Sequence, residues 1–234
     1  MLRFVNLREG RLSYRDLGIG ERSQMPSYYL HLMLSYQRAA EAGIAEAHCP
    51  AFLLGAVAPD AVVVHRDKLR THYTVYAGIT WGYRFSAFER EFAGYREQSA
   101  LHQYFYRGYK YHLFLDDAWM RECLHRALLR LMIGRLTRDA HVRVQYYGEM
   151  SQFDAFYRSS VGTAALQDAC ACLAQADLDL LPEFLERGVV GSILEHLSDA
   201  MLKTTSYFDG QILRPRNVER FLLRVSKLPI ALQL

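Results

Sequence analysis

The chain has 234 residues, of which 51% are hydrophobic and 23% are charged, and this balance is typical of a globular protein rather than a disordered one. Such a length is sufficient for one sizeable core or at most two small domains. The formal net charge of +3 is only weak evidence for an anionic partner, so nucleic-acid binding is not the expected function.

The first predicted segment, residues 1–24, is polar and has no helical period, so we expect a loose extension. It carries charges where a signal peptide needs apolar residues, and no later apolar run approaches the ~20 residues that cross a bilayer. The spacing of the four cysteines matches neither a zinc knuckle nor a disulfide framework. We therefore expect a cytoplasmic protein with reduced thiols, whose residues 25–234 form a single domain; Met25 is an alternative start residue.

The next elements are predicted to be helical with short breaks. A helix is expected over about Tyr28–Ala47, and Cys49-Pro50 ends it. The apolar run at 51–63 is too interrupted for a central strand and indicates one or two helical turns that end near Ala58.

The middle of the chain gives a less uniform pattern. Residues 73–83 combine glycines with aromatic residues and receive no assignment. Helices are predicted over about Phe85–Phe92 and from about Ser99 through Met132, with an interruption at Gly108 left open.

In the second half, His141–Tyr147 suits either a β-like stretch or a loop. Helices are predicted afterwards from about Gln152, then over about Gly162–Ala176, Leu178–Arg187, Ser192–Thr204 and Asn217–Val225. Together the signals predict an all-α protein, a single bundle of about six to eight helices with a metal site in its interior.

One pair of polar residues stands out in the segment YKYHLFLDDAW at 109–119. On a helix, His112 and Asp116 would project from one apolar face, one turn apart. An imidazole and a carboxylate at this spacing can bind a divalent metal ion together. The alternative is a buried hydrogen bond that only links two helices.

Three further residues of metal-ligand type lie inside or beside apolar segments, where an uncompensated polar group is costly. His31 is in the first turn of the first predicted helix, Asp60 is the only charge at 51–64, and His72 borders the next apolar segment. Asp60 is alternatively a helix N-cap. A bundle could bring all five side chains together, and His with Asp suits zinc, manganese or iron. Five ligands exceed what one tetrahedral zinc needs, which suggests two ions that share a carboxylate.

The segments around these residues resemble the zinc-dependent phospholipase C family, whose fold is shared with fungal single-strand nucleases. They agree with that family in order and rough spacing, over about half of the chain. The similarity is to a branch of small bacterial cytoplasmic proteins. The matching segments are HLMLSYQRAAE at His31, FLLGAVAPDAV at Asp60, THY at His72 and GYKYHLFLDDAW at His112 and Asp116.

The resemblance implies a residue-by-residue role for the set. Asp60, His72, His112 and Asp116 would hold one zinc ion, and Asp116 would bridge to a second ion that His31 also binds. As a separate hypothesis about the mechanism, we expect Asp60 to act also as the base that orients the attacking water. In the family the mature N-terminal residue completes the second site, whereas His31 here follows thirty other residues.

A third zinc is not expected. The family's third site uses a His and a later HxxxE pair. This chain offers His125, and His141 followed by Gln145, which lacks the carboxylate, as well as a later cluster at 195–199.

The predicted function is therefore metal-dependent hydrolysis of a small phosphoester or a lipid-like substrate. Zinc is the expected cofactor, as one or two ions, with Mn²⁺ or Fe²⁺ as alternatives. A rival reading is a non-catalytic helical protein that keeps the fold with a structural metal or none. Nucleic-acid binding through the Arg-rich segment at 121–143 is a third reading, which an exposed helix face explains more simply.

Overall fold

A computed structural model of the chain describes residues 28–61, 70–77, 80–124, 140–185, 187–188, 191 and 213–227. Within these ranges the fold is a helical bundle with one short antiparallel hairpin, which confirms the predicted all-α bundle. The eight helices are α1 (Tyr28–Glu41), α2 (Cys49–Val57), α3 (Phe85–Glu91), α4 (Ala93–Arg96), α5 (Ala100–Trp119), α6 (Ala140–Val161), α7 (Thr163–Leu173) and α8 (Pro215–Ser226).

The hairpin occupies most of the stretch that the sequence left unassigned. Its strands are β1 (Thr74–Ala77) and β2 (Thr80–Tyr83), and Thr74 pairs with Tyr83. It follows the turn that carries His72. None of the helices in the described ranges is long and apolar enough to cross a bilayer.

The first helix is shorter than predicted because the backbone turns sharply after it. α1 ends at Glu41, and Gly43 has a φ of +64°, the left-handed conformation that favours glycine. A 3-10 turn at Glu46–His48 leads into α2, where Pro50 lies in the first turn. Pro50 lacks an N–H, and the first N–H groups of a helix have no helical partner, so this proline suits the start of α2.

The centre of the bundle is the contact between α2 and α5. These helices pack backbone to backbone where Gly55 meets α5 and Gly108 meets α2. The interruption considered at Gly108 does not occur, and α5 is continuous from the Ser99 N-cap to Trp119. A π-helical turn follows at Met120–Leu124, and the rest of the helix predicted through Met132 lies outside the described residues.

The prediction for His141–Tyr147 is wrong. This stretch belongs to α6, which also contains the segment predicted to begin a helix at Gln152. The local alternation of apolar residues there is overridden by a longer helical period. That period is visible in the buried residues Tyr146, Met150, Phe153 and Tyr157.

The helix predicted over Leu178–Arg187 is also wrong. Among the described residues 178–185 a 3-10 turn forms at Leu178–Leu180, and Leu181 is extended with a φ of −71° and a ψ of 127°. Pro182 explains this, because a proline disfavours the α conformation in the residue before it. The extension at 1–24 and the helix predicted over Ser192–Thr204 lie outside the described residues.

Candidate metal centre

Five side chains from four parts of the chain meet in the interior. His31 lies in the first turn of α1, Asp60 in the 3-10 turn after α2, His72 just before β1, and His112 and Asp116 on α5. All five are buried, with exposed fractions of 0% to 6%. The structure thus brings together the five residues His31, Asp60, His72, His112 and Asp116, and Asp60 ends a turn instead of capping a helix.

Both carboxylates lie between His31 and His72. Asp116 places Oδ1 3.3 Å from His31 Nε2, and its Oδ2 is 3.3 Å from His72 Nε2 and 3.5 Å from His112 Nε2. Asp60 places Oδ1 3.2 Å from His72 Nε2 and Oδ2 4.0 Å from His31 Nε2. Ligands bonded tetrahedrally at ~2.0–2.2 Å lie roughly 3.3–3.6 Å from one another. Most of the observed separations are therefore close to those of atoms that share one ion.

The backbone of α2 determines which nitrogen of His112 faces the cluster. His112 Nδ1 lies 2.7 Å from the carbonyl oxygen of Ala56. A carbonyl oxygen can only accept, so Nδ1 carries the hydrogen and donates it. In the neutral ring, Nε2 then has a free lone pair directed at the other cluster residues.

Thr71 orients His72 in the same way. The Thr71 hydroxyl donates its single hydrogen to the carbonyl oxygen of Pro59 at 2.7 Å, and so accepts from His72 Nδ1 at 3.0 Å. Tyr109 on α5 donates its hydroxyl to the Thr71 carbonyl oxygen at 2.6 Å, which holds this turn against α5. Sequence reasoning missed Thr71, because its hydroxyl acquires this role only through its contact with the Pro59 carbonyl oxygen.

The two oriented imidazoles face each other across a short gap. His72 Nε2 and His112 Nε2 are 3.1 Å apart. Because both Nδ1 atoms carry hydrogens, two neutral rings would direct lone pairs at one another, which is repulsive. A metal ion held between them, with the carboxylates nearby, removes that repulsion, and so does a proton on one of the two Nε2 atoms. Outer hydrogen bonds that fix ligand tautomers in this manner are common around protein metal ions.

His31, on α1, completes the cluster. Its ring stacks on that of His112, with centroids 3.8 Å apart and an interplanar angle of 17°. Among the described residues, neither ring nitrogen of His31 makes a hydrogen bond of acceptable geometry, although Nε2 approaches Asp116. Burial is the main reason that the pKa of His31 falls to about 4, so the ring is neutral at pH 7. Neutral imidazole is the form that binds metals.

The ionised carboxylate of Asp116 suits a cation, whereas a proton that the raised pKa of His112 keeps on its ring must leave when a metal binds. Burial alone would raise the pKa of Asp116, but the neighbouring imidazoles, His112 first, hold it well below its usual range. Burial would likewise lower the pKa of His112, but Asp116 and then Asp60 raise it. The carboxylate of Asp116 is therefore ionised, as a metal ligand must be.

Two overlapping groups in this cluster could each hold a metal ion. One is His31, Asp60 and His112, and the other is His72, His112 and Asp116, with the ligand atoms of each group within 4.8 Å of one another. The metal's identity does not follow from these residue types, since His and Asp together bind zinc, manganese and iron.

The residues considered for a third zinc give no comparable group in the described ranges. Gln145, which replaces the family's carboxylate, is exposed on α6 and donates to Glu149 at 3.0 Å. His125 and the cluster at 195–199 lie outside the described residues.

Neither a family model, nor a curated protein, nor a solved structure matches the chain.

Proposed function

We propose that the chain is a metal-dependent phosphoester hydrolase related to the zinc-dependent phospholipases C. The ligands would be His31, Asp60, His72, His112 and Asp116. The observation that carries the metal site is the 3.1 Å approach of His72 Nε2 to His112 Nε2, with both rings oriented by hydrogen bonds at Nδ1. The phosphoester chemistry is supported by the four motifs that resemble the family.

A first ion would be held on the side of the cluster where His72 and His112 face each other. His72, His112 and Asp116 Oδ2 converge there, and Asp60 Oδ1 lies 3.2 Å from His72 Nε2. A divalent ion at this point would polarise a phosphoryl oxygen and lower the pKa of a bound water.

A second ion would use the opposite side of the same carboxylate. Asp116 Oδ1 faces His31 Nε2 at 3.3 Å, so the two oxygens of Asp116 point toward different imidazoles. This is the arrangement expected of a bridging carboxylate, which two-metal hydrolases use to keep ions ~3.5–4 Å apart.

Asp60 is the residue proposed as the base. Its Oδ2 is 4.0 Å from His31 Nε2, whereas its Oδ1 is 3.2 Å from His72 Nε2, so Oδ2 is the oxygen with the more distant imidazole. Tyr28 donates its hydroxyl to the backbone oxygen of Asp60 at 3.2 Å, which helps to hold the turn that presents the carboxylate. With one oxygen toward an ion, the other would accept the proton of the attacking water.

A second candidate function is a structural metal site without catalysis. The burial of all five side chains favours it, with Asp116 the most exposed at only 6%. Catalytic metal sites keep an open coordination position for water or substrate, whereas structural sites are closed.

Turnover measurements separate the two functions. The metal-loaded protein is assayed on a phosphodiester and a phosphomonoester substrate, with and without a chelator. Asp60→Asn tests the base, and Asp117→Asn is the matched control, because Asp117 is an aspartate outside the cluster that pairs with Arg121 at 2.7 Å.

The hydrolase proposal predicts turnover in the metal-loaded wild type and its loss when the chelator is added. Asp60→Asn should reduce this turnover by about 10²-fold or more, and Asp117→Asn should leave it unchanged. Retained metal with no turnover on any substrate, together with unfolding on chelation, would instead support the structural role.

A further inference from the structure

The outward face of α8 carries basic side chains around one leucine, and we call these residues the basic row. They follow one another at intervals of four, three and four positions, as neighbours on one helix face do: Arg216, Arg220, Leu223 and Lys227. Lys227 directly follows the last residue of α8 and keeps a helical conformation. All four are exposed, and Leu223, at 55%, is the one exposed large hydrophobic side chain among the described residues.

The opposite side of α8 is held in the core, which fixes the basic row toward solvent. Phe221 packs edge-on against Trp119 of α5, with ring centroids 4.9 Å apart and an interplanar angle of 83°. Val218 and Val225, one turn to either side, are buried as well. Because buried and exposed positions follow the helical period, α8 cannot turn the basic row inward without losing this packing.

The charges of the basic row are not neutralised by neighbouring carboxylates. Arg224, beside the row, pairs with Glu122 at 2.9 Å, whereas no residue of the row forms an ion pair in the ranges that the structure describes. Glu219 is the single acidic residue of α8, and it projects about 60° to one side of Arg216. The row therefore presents three cations with one flanking carboxylate.

We propose that the basic row binds the anionic surface of a lipid bilayer. Lys and Arg side chains near such a surface are attracted to its negative headgroups. A leucine among them enters the boundary between headgroups and acyl chains, where its apolar surface leaves water. The row extends over about 16 Å of helix, so its members meet the bilayer together when α8 lies parallel to the surface.

The exposed leucine favours lipid over nucleic acid, whose phosphates would attract the same charges. Proteins that bind single strands add aromatic side chains on which the bases stack. The aromatic residue of α8, Phe221, is buried against Trp119 and is not accessible to bases. Leu223 has no partner in a phosphate backbone, but it gains from contact with acyl chains.

This surface lies next to the helix that supplies two of the candidate metal ligands. Trp119, on which α8 packs, follows Asp116 by three residues on α5. Binding through the basic row would thus bring a bilayer beside the helices that hold the candidate metal centre. The binding itself depends neither on a bound metal nor on hydrolysis.

The test is sedimentation of the full chain with vesicles of phosphatidylcholine, with and without phosphatidylserine. A triple variant, Arg216→Gln with Arg220→Gln and Lys227→Gln, removes the charges of the row. Its matched control removes the same charge from three exposed arginines outside α8, as Arg84→Gln with Arg90→Gln and Arg187→Gln. Circular dichroism checks the fold of every variant, and all the substituted side chains are exposed.

The proposal predicts that wild type and the control bind vesicles that contain phosphatidylserine. Each basic residue near an anionic surface strengthens binding about five-fold, so the triple variant should bind about 100-fold more weakly. Leu223→Gln should weaken binding about ten-fold, because a polar side chain does not enter the apolar boundary. Added salt should release the protein, since it screens the attraction between the charges.

Any of three results would overturn the proposal. One is no binding to vesicles with phosphatidylserine, or equal binding to both kinds of vesicle. The second is equal weakening in the triple variant and its control. The third is retention of single-stranded DNA without vesicle binding, unchanged in Leu223→Gln, which would assign the basic row to nucleic acid.

Discussion

Gly55 on α2 and Gly108 on α5 each lie against the backbone of the other helix. A Cβ atom on Gly55 would be 2.0 Å from the carbonyl oxygen of Phe105, and one on Gly108 would be 1.9 Å from that of Phe52. Neither position has room for a side chain. This close approach brings the turn after α2, with Asp60, within reach of the imidazole and carboxylate that α5 supplies.

Gly108→Ala is expected to separate the two helices. The added methyl group would meet backbone atoms, which cannot rotate away, so the free energy of unfolding should fall by about 3 kcal/mol or more. Urea denaturation measures this change. Metal retention should weaken in the same variant, because Asp60 and His112 would move apart.

Gly148→Ala is the matched control. Gly148 lies within α6, and a Cβ atom there would have no neighbour within 4 Å. Alanine should therefore stabilise the helix by about 0.5–1 kcal/mol. Equal effects of the two substitutions would contradict the role given to the glycine contact.

Thr71→Val is expected to weaken metal binding by roughly 10–100-fold, the usual effect of removing an outer hydrogen bond from a histidine ligand. Valine keeps the branched shape but can neither accept from His72 Nδ1 nor donate to Pro59. Thr71→Ser keeps the hydroxyl and should bind metal almost as wild type does. Titration with zinc and a competing chelator measures the affinities.

The tautomer of His72 gives an independent readout of the same contact. In metal-free wild type, nitrogen NMR should find the His72 hydrogen on Nδ1, and Thr71→Val should shift this preference. An unchanged tautomer in Thr71→Val would show that Thr71 does not orient the ring, whether or not the cluster binds metal.

His31 should make the metal-free protein less stable in acid. Its pKa falls from 6.5 to about 4 on folding, mainly because the ring is buried. At pH values between these two limits the unfolded chain binds a proton at this ring and the folded chain does not. The free energy of unfolding therefore rises with pH across this window, by as much as about 3 kcal/mol.

His31→Gln should flatten this part of the profile, measured by urea denaturation at several pH values after metal removal. The pKa of His112 is raised, so this residue changes the free energy of unfolding in a different pH range. The protonated His112 ring stabilises the folded state fully below the unfolded pKa of 6.5, and this stabilisation is lost as the pH rises through the higher pKa of the folded state. Identical acidic slopes in wild type and His31→Gln would contradict the assignment.

The sequence predicted the candidate cluster better than the details of the fold. The spacing of His112 and Asp116 places both on one face of any helix, so their proximity follows from helix geometry alone. Asp60 was recognisable as the single charge in an apolar run. Burial of such groups is costly without partners, which is why they point to one another.

The features that were missed depend on contacts between distant segments. Gly108 reads as a helix breaker, and only the packing against α2 explains why it lies inside a continuous helix. The segment at 141–147 alternates locally, while the burial pattern of the whole of α6 decides its conformation. Thr71 acquires its role from the Pro59 carbonyl, a partner that the sequence does not reveal.

The central claim is that five buried side chains hold a metal ion, and metal analysis of purified protein tests it most directly. Wild type is compared with His112→Ala, with Asp116→Ala, and with Asp117→Ala as the control next to the cluster. We predict at least one equivalent of a divalent metal in wild type and in the Asp117 variant, and almost none in the other two. Equal metal content in all four proteins, or none in wild type after growth with added zinc, manganese and iron, would contradict the claim.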